Sequence, residues 1–232
     1  MKIILSPIIL SCFLSTSCWS LPTEYTAIYN AKLKQAGGVL STQLKKNGDI
    51  YSFELITEAT GFWKAIIKGS IIERSTFAIE NNQFKTYDYH LIDTIRKKSR
   101  ESDAVFNWNN SKITGYYKDR EINIALEDKT LSRIVLQLQI MYNQEKQIVS
   151  NDYQVLDKDA LKKVSIISEH LFTETSVPFG TFQTIKISHQ SEDSERLNSL
   201  WLAPELNFIP IKISQTINGK KSFEANLTQL SF

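Results

Sequence analysis

Cysteine is confined to the first 18 residues of this 232-residue chain, at Cys12 and Cys18. Everything beyond them lacks a disulfide, a thiol nucleophile and a thiolate for a metal. Histidine is nearly as scarce. His90, His170 and His189 stand far apart, none with a second histidine or cysteine at ligand spacing, so neither a metal nor a cofactor is expected. There are only eight glycines and five prolines. That leaves no composition for a flexible linker or a low-complexity tract. An excess of one charge is missing too. The 27 basic residues stand against 25 acidic ones, and nothing in that balance favours nucleic acid as a partner.

Catalytic signatures are equally thin. No Gly-x-Ser-x-Gly elbow occurs. Gly219-Lys220-Lys221-Ser222 ends like a phosphate-binding loop, but Ser214 occupies the place of its first glycine. The run Glu192-Asp193-Ser194-Glu195 reads as a solvated turn. With no nucleophile–base pair and no metal constellation in view, an enzyme is the least favoured of the readings.

The N-terminus reads as an export signal over residues 1–20. Lys2 gives the positive start, Ile3 to Leu14 is mostly apolar, and small residues gather up to Ser20. Cleavage after Ser20 would leave a β-rich domain, 21–232, without a transmembrane segment, because a spanning helix needs about 20 apolar residues. The expected location is the periplasm. A rival reading attaches lipid at a cysteine. Ser15-Thr16-Ser17 before Cys18 lacks the usual aliphatic residue, and Cys12 leaves a very short signal. The remaining length, about 210 residues, is enough for a core that needs no disulfide.

What the chain does have is period-two alternation. Tyr25, Ala27, Tyr29 and Ala31 share one face of a first strand. Val39–Lys46 and Ile50–Thr57 flank Asn47-Gly48-Asp49, a strong hairpin signal. Further strands read through to Phe232. Among them is a long one from Ile95 to Trp108, whose like-parity residues change from Arg96, Lys98 and Arg100 to Phe106 and Trp108. Pro210 sits inside the apolar run LNFIPIKIS and must lie at a sheet edge or a bulge, since it has no N–H. Alternation puts Trp201 on one face with Leu197 and Ser199, and we expect it in the core. One segment changes period. After Asp128 as N-cap, Leu131, Ile134, Val135, Leu138 and Met141 recur at helical spacing, predicting an amphipathic helix from about Lys129 to Tyr142. The expected fold is a strongly curved antiparallel sheet or open barrel, with that helix on its concave face.

Several motifs occur together in order: TGFW at Thr60–Trp63, Phe106-Asn107-Trp108, DKTLSRIVLQLQ from Asp128, VPFGTFQTIKI from Val177, and WLAPELNFIPIKI from Trp201. In this set the chain resembles the bacterial envelope family catalogued as domain of unknown function 3108. The resemblance implies an exported, mainly β protein, and it supplies no catalytic residue. Two functions fit. The first is a non-catalytic binding or carrier protein for a lipid or other amphiphilic envelope molecule. Its seat would be a gap under the helix near Phe106, Trp108 and Leu138, with Arg96, Lys98 and Arg100 at the mouth. The alternative is a structural or assembly factor that binds another envelope protein through exposed sheet edges.

Overall fold

The computed structural model describes residues 21–22, 24–33, 35–95 and 98–232. The expected export segment, residues 1–20, lies outside them, as does Arg96. The chain opens with β1 (Tyr25–Leu33), β2 (Ala36–Asn47) and β3 (Ile50–Ala59), followed by a five-residue helix α1 (Phe62–Ile66). Then come β4 (Ser70–Glu80), β5 (Gln83–Thr86), β6 (Asp88–Asp93), β7 (Arg100–Asn107), β8 (Lys112–Tyr117) and β9 (Arg120–Ala125). A short β10 (Thr130–Ser132) precedes the helix α2 (Val135–Lys146). The remainder is β11 (Asp152–Asp157), β12 (Ala160–Val177), β13 (Gly180–Ser191), β14 (Arg196–Ala203), β15 (Ile209–Ile217) and β16 (Lys220–Ser231).

Among the described residues sixteen strands make a single sheet in the order β10-β11-β12-β13-β14-β15-β16-β1-β2-β3-β4-β6-β7-β8-β9, with β5 on β4. The two ends of the fold meet in its middle, where β16 pairs antiparallel with β1. The sheet curls without closing. Its β10 end turns back across the concave side towards the other half. There Ser132 Oγ lies 2.9 Å from Ser75 Oγ of β4, and the Ser132 N–H donates to Thr86 Oγ1 at 3.2 Å. This is the curved open barrel that the alternation predicts.

Local chemistry explains most of the strand breaks. Asn47 faces Ile50 across the expected hairpin. Pro210 sits opposite Leu202 next to a bulge, a place where the ladder tolerates a residue without an N–H. Alternation fills the interior with Tyr29, Phe53, Phe77, Phe84 and Ile113, all fully buried.

Three expectations need correction. The helix begins at Val135, not near Lys129, because Thr130–Ser132 are extended and pair in parallel with β11. Ser132 Oγ, instead of Asp128, then accepts the Val135 N–H at 3.4 Å. The strand expected over Ile95–Trp108 runs only from Arg100 to Asn107, and Lys98 lies before it. Trp201 is only half-buried, with Lys212 Nζ 5.0 Å and Lys186 Nζ 5.6 Å from its ring centre. Trp201 packs against the core with part of its surface, and the two lysines lie over its ring.

The helix lies on the concave side and buries far more than one stripe. Val135, Leu136, Leu138, Gln139, Ile140, Met141, Tyr142 and Asn143 are all buried. The two amide residues that the helix buries whole, Gln139 and Asn143, are hydrogen-bonded, as burial requires. Gln139 accepts the Phe84 N–H at 2.8 Å and donates to Asn143 Oδ1 at 2.8 Å. Asn143 Nδ2 donates to Tyr153 OH at 2.5 Å.

A cavity between the helix and the concave sheet

Antiparallel alternation brings one set of connections to a common rim: β1–β2, β3–β4, β6–β7, β8–β9, β11–β12, β13–β14 and β15–β16. A cavity of about 430 Å3 lies towards this rim, between the start of α2 and the concave faces of β3, β4 and β11 to β15. Its apolar lining includes Leu55, Leu136, Val164, Leu200 and Ile213. Leu55 and Ile213 are only half-buried, which leaves them surface to offer.

A polar group interrupts this lining. Glu73 shares the inward parity of Ser75 and Phe77 on β4, so its carboxylate is carried into the barrel. A buried charge needs partners. Arg133, just before α2, supplies Nε at 2.9 Å and Nη2 at 3.1 Å, and Tyr89 OH donates to the same carboxylate at 2.7 Å. The Glu73 charge in turn holds the Arg133 guanidinium above its ordinary pKa. Burial and the neighbouring Glu73 both raise the Tyr89 hydroxyl. Gln137, in the first turn of α2, also lines the cavity, its Nε2 buried without a hydrogen-bond partner.

His189 shares the cavity, with Ile185 and Ile187 of its strand at the same parity. Burial lowers its pKa from 6.5 to about 4, so it is neutral at pH 7. Cations and anions balance around the cavity: Arg133, Lys158, Lys162 and Arg196 against Glu73, Asp157, Glu192 and Asp193. Such a lining does not select a bare anion. It suits a group carrying both charges, or neutral hydrogen-bonding groups. Among the described residues no cluster of three His, Cys, Asp or Glu side chains is placed to hold a metal, and no helix is long and apolar enough to cross a membrane.

The residues singled out from the sequence lie elsewhere. Lys98 is exposed on the β6–β7 connection. Arg100 is committed to a bond with the buried Asp93, its Nε 2.9 Å from Oδ2. Phe106 and Leu138 are buried in the core. Trp108 is half-buried, donates to Thr86 O at 2.8 Å and lies under Lys85. None of these five lines the cavity. Sequence reasoning missed Glu73, Arg133 and His189. The available signal was Glu73 itself, a carboxylate at the parity of Phe77.

A second hollow, of about 550 Å3, lies at the other end of α2 and is lined by Ile140, Ile166, Phe172 and Phe208 among others.

A sheet curled around a central helix places this protein among barrel-like β proteins. A solved structure described as a beta-barrel-like protein of domain of unknown function DUF1849 from Brucella abortus is similar in fold, with a TM-score of 0.54. The match covers 90% of this chain and 97% of that one at 13% identity. The chain belongs to the family described as protein of unknown function DUF3108, whose model matches residues 24–226. No curated protein matches it in sequence.

Proposed function

We propose that this protein is a non-catalytic binding or carrier protein of the bacterial envelope, exported to the periplasm, and that its ligand is an amphiphile. The observation that carries the reading is the cavity under α2, which joins an apolar strip that includes Leu55, Leu200 and Ile213 to a larger polar lining that is charge-balanced overall. Its volume falls within the roughly 300–1,000 Å3 typical of small-molecule sites. An acyl or similar apolar group would lie against Leu55, Leu200 and Ile213. A zwitterionic or neutral polar head would face Arg133, Gln137 and His189.

Export rests on the N-terminal pattern and requires a mature chain beginning at Leu21. N-terminal sequencing of protein recovered from the envelope checks this, and an acylated cysteine at its start would replace a soluble protein with an anchored one.

Binding is tested by titrating delipidated protein with two fluorescent acyl probes, one a fatty acid and one a lysophosphocholine. Saturable binding is expected, tighter for the zwitterionic head. Ile213→Trp should weaken it about tenfold while the fold is retained, because the ring occupies space that is now open. Absence of saturable binding removes the reading.

One observation favours the alternative, an assembly factor. β11 covers β12 only as far as Ser165. Beyond it Ile167, Leu171 and Phe172 are exposed on the strand, and such an edge can accept a partner strand. A stoichiometric protein partner, lost on Phe172→Lys, would put that reading first.

A further inference from the structure

The connection between β3 and β4 is built, not slack. The Thr60 N–H donates to Gly37 O at 3.1 Å, the Lys64 N–H to Gly61 O at 3.1 Å and the Ile67 N–H to Trp63 O at 2.7 Å. At its far end the Ser70 N–H donates to Thr94 Oγ1 at 3.0 Å, and the Thr94 N–H returns to Ser70 O at 2.9 Å. Glycine is needed at both ends. Gly61 has φ 56° and Gly69 φ 103°, and a Cβ on Gly69 would meet Thr94 Oγ1 at 2.4 Å and Thr94 O at 2.8 Å.

This specified backbone displays apolar side chains instead of burying them. No residue of α1 is buried. Phe62 is 74% exposed and Ile66 58%. Trp63 is half-buried, its ring edge-on to Phe62 at 5.9 Å between centres. Packing does not account for an aromatic–aliphatic patch held in water by its own hydrogen bonds.

The charge around the patch says what covers it. Residues 59–72 contain Lys64 and Lys68, both exposed, and no acid. Thr94 ties the loop to the β6–β7 connection, where Lys98 is also exposed. Along the flanking strands the exposed acids are Glu58, Glu101 and Glu80, and Glu80 lies at the far end of β4, paired with Lys85. Aromatic and branched apolar groups set among lysines match the interface of an anionic bilayer. Rings settle at head-group depth and ammonium groups meet lipid phosphates.

We propose that the loop carrying Phe62, Trp63 and Ile66 inserts into an anionic lipid surface and docks this rim of the barrel on it. The β3–β4 strands that it joins also carry Leu55 and Glu73 into the cavity wall. Docking therefore sets that wall close to the bilayer. The inference stands on the loop alone and holds whether or not the cavity takes a ligand.

Trp63 is the reporter. In the full chain with Trp19→Phe, Trp108→Phe and Trp201→Phe it is the sole tryptophan. Vesicles of mixed phosphatidylglycerol and phosphatidylcholine with brominated acyl chains should shift its emission to the blue and quench it. Phe62→Ser with Ile66→Ser should abolish the quenching at an unchanged melting temperature, since both side chains are exposed. Lys64→Gln with Lys68→Gln should raise the lipid needed by about tenfold. Emission unaltered at saturating vesicles, or quenching indifferent to the serine variants, overturns the proposal. Should the three-fold phenylalanine chain fail to fold, vesicle co-sedimentation of the natural chain against its serine variant decides instead. The bound fraction is expected to fall by half or more, and equal fractions refute docking.

Discussion

His189 shows what a single residue in this barrel does to the whole. Its imidazole is buried enough to titrate at about 4 instead of 6.5. The unfolded chain therefore takes up a proton, between those two values, that the folded chain refuses. Stability must fall as pH falls through that window and be fully present above it. At most the loss is roughly 3 kcal/mol, at about 1.4 kcal/mol per unit of displacement. His189→Gln removes the titration. Thermal melts from pH 7 down to pH 4.5 should show natural protein and variant converging, then crossing in the variant's favour. Parallel curves would mean that His189 is solvated in the folded state. The sequence did not single this residue out, for a physical reason. His189 lies in an ordinary alternating strand, and the cavity it lines is closed in part by residues distant in the chain, such as Leu55, Glu73 and Leu136.

At the scale of elements, the legible parts were those determined by neighbours in sequence. β1 shows its buried face in Tyr25, Ala27, Tyr29 and Ala31, because alternation is a local property. Pro210 limits its place to a sheet edge or a bulge because an absent N–H is local too, and the bulge is what is found. The start of α2 was misjudged because Leu131 and Ile134 fit a helical stripe as well as they fit a strand followed by a turn. Only the open edge of β11, supplied later in the chain, draws Thr130–Ser132 into extended pairing. The shared face expected for Lys98 and Arg100 fails for the opposite reason. Parity is meaningful only inside a strand, and the strand begins at Arg100. The cavity was beyond reach altogether. Leu55, Glu73, Arg133, His189, Leu200 and Ile213 come from six separate places, and only the curl assembles them. The TGFW turn was visible as a motif, but its exposure was not, since aromatic residues are usually core.

The whole molecule depends on a pairing between its ends. β1 sits between β16 and β2, so the last strand of the chain is a central strand of the sheet. Removing residues 220–232 would strip β15 and β1 of a partner at once and take away Ala225 and Leu227, both fully buried. Two new edges would open in mid-sheet, and the curl that holds α2 would be divided between its β10–β15 and β1–β9 parts. Such a truncation should lose cooperative unfolding entirely, read as a missing thermal transition and a collapsed near-ultraviolet circular dichroism signal. Removing only Ser231 and Phe232, both exposed, should leave the transition within a few degrees of the natural one. A truncated chain that still melts cooperatively would show that the β1–β9 and β10–β15 parts fold separately. The cavity would then belong to an interface between two units and not to the interior of one curled sheet.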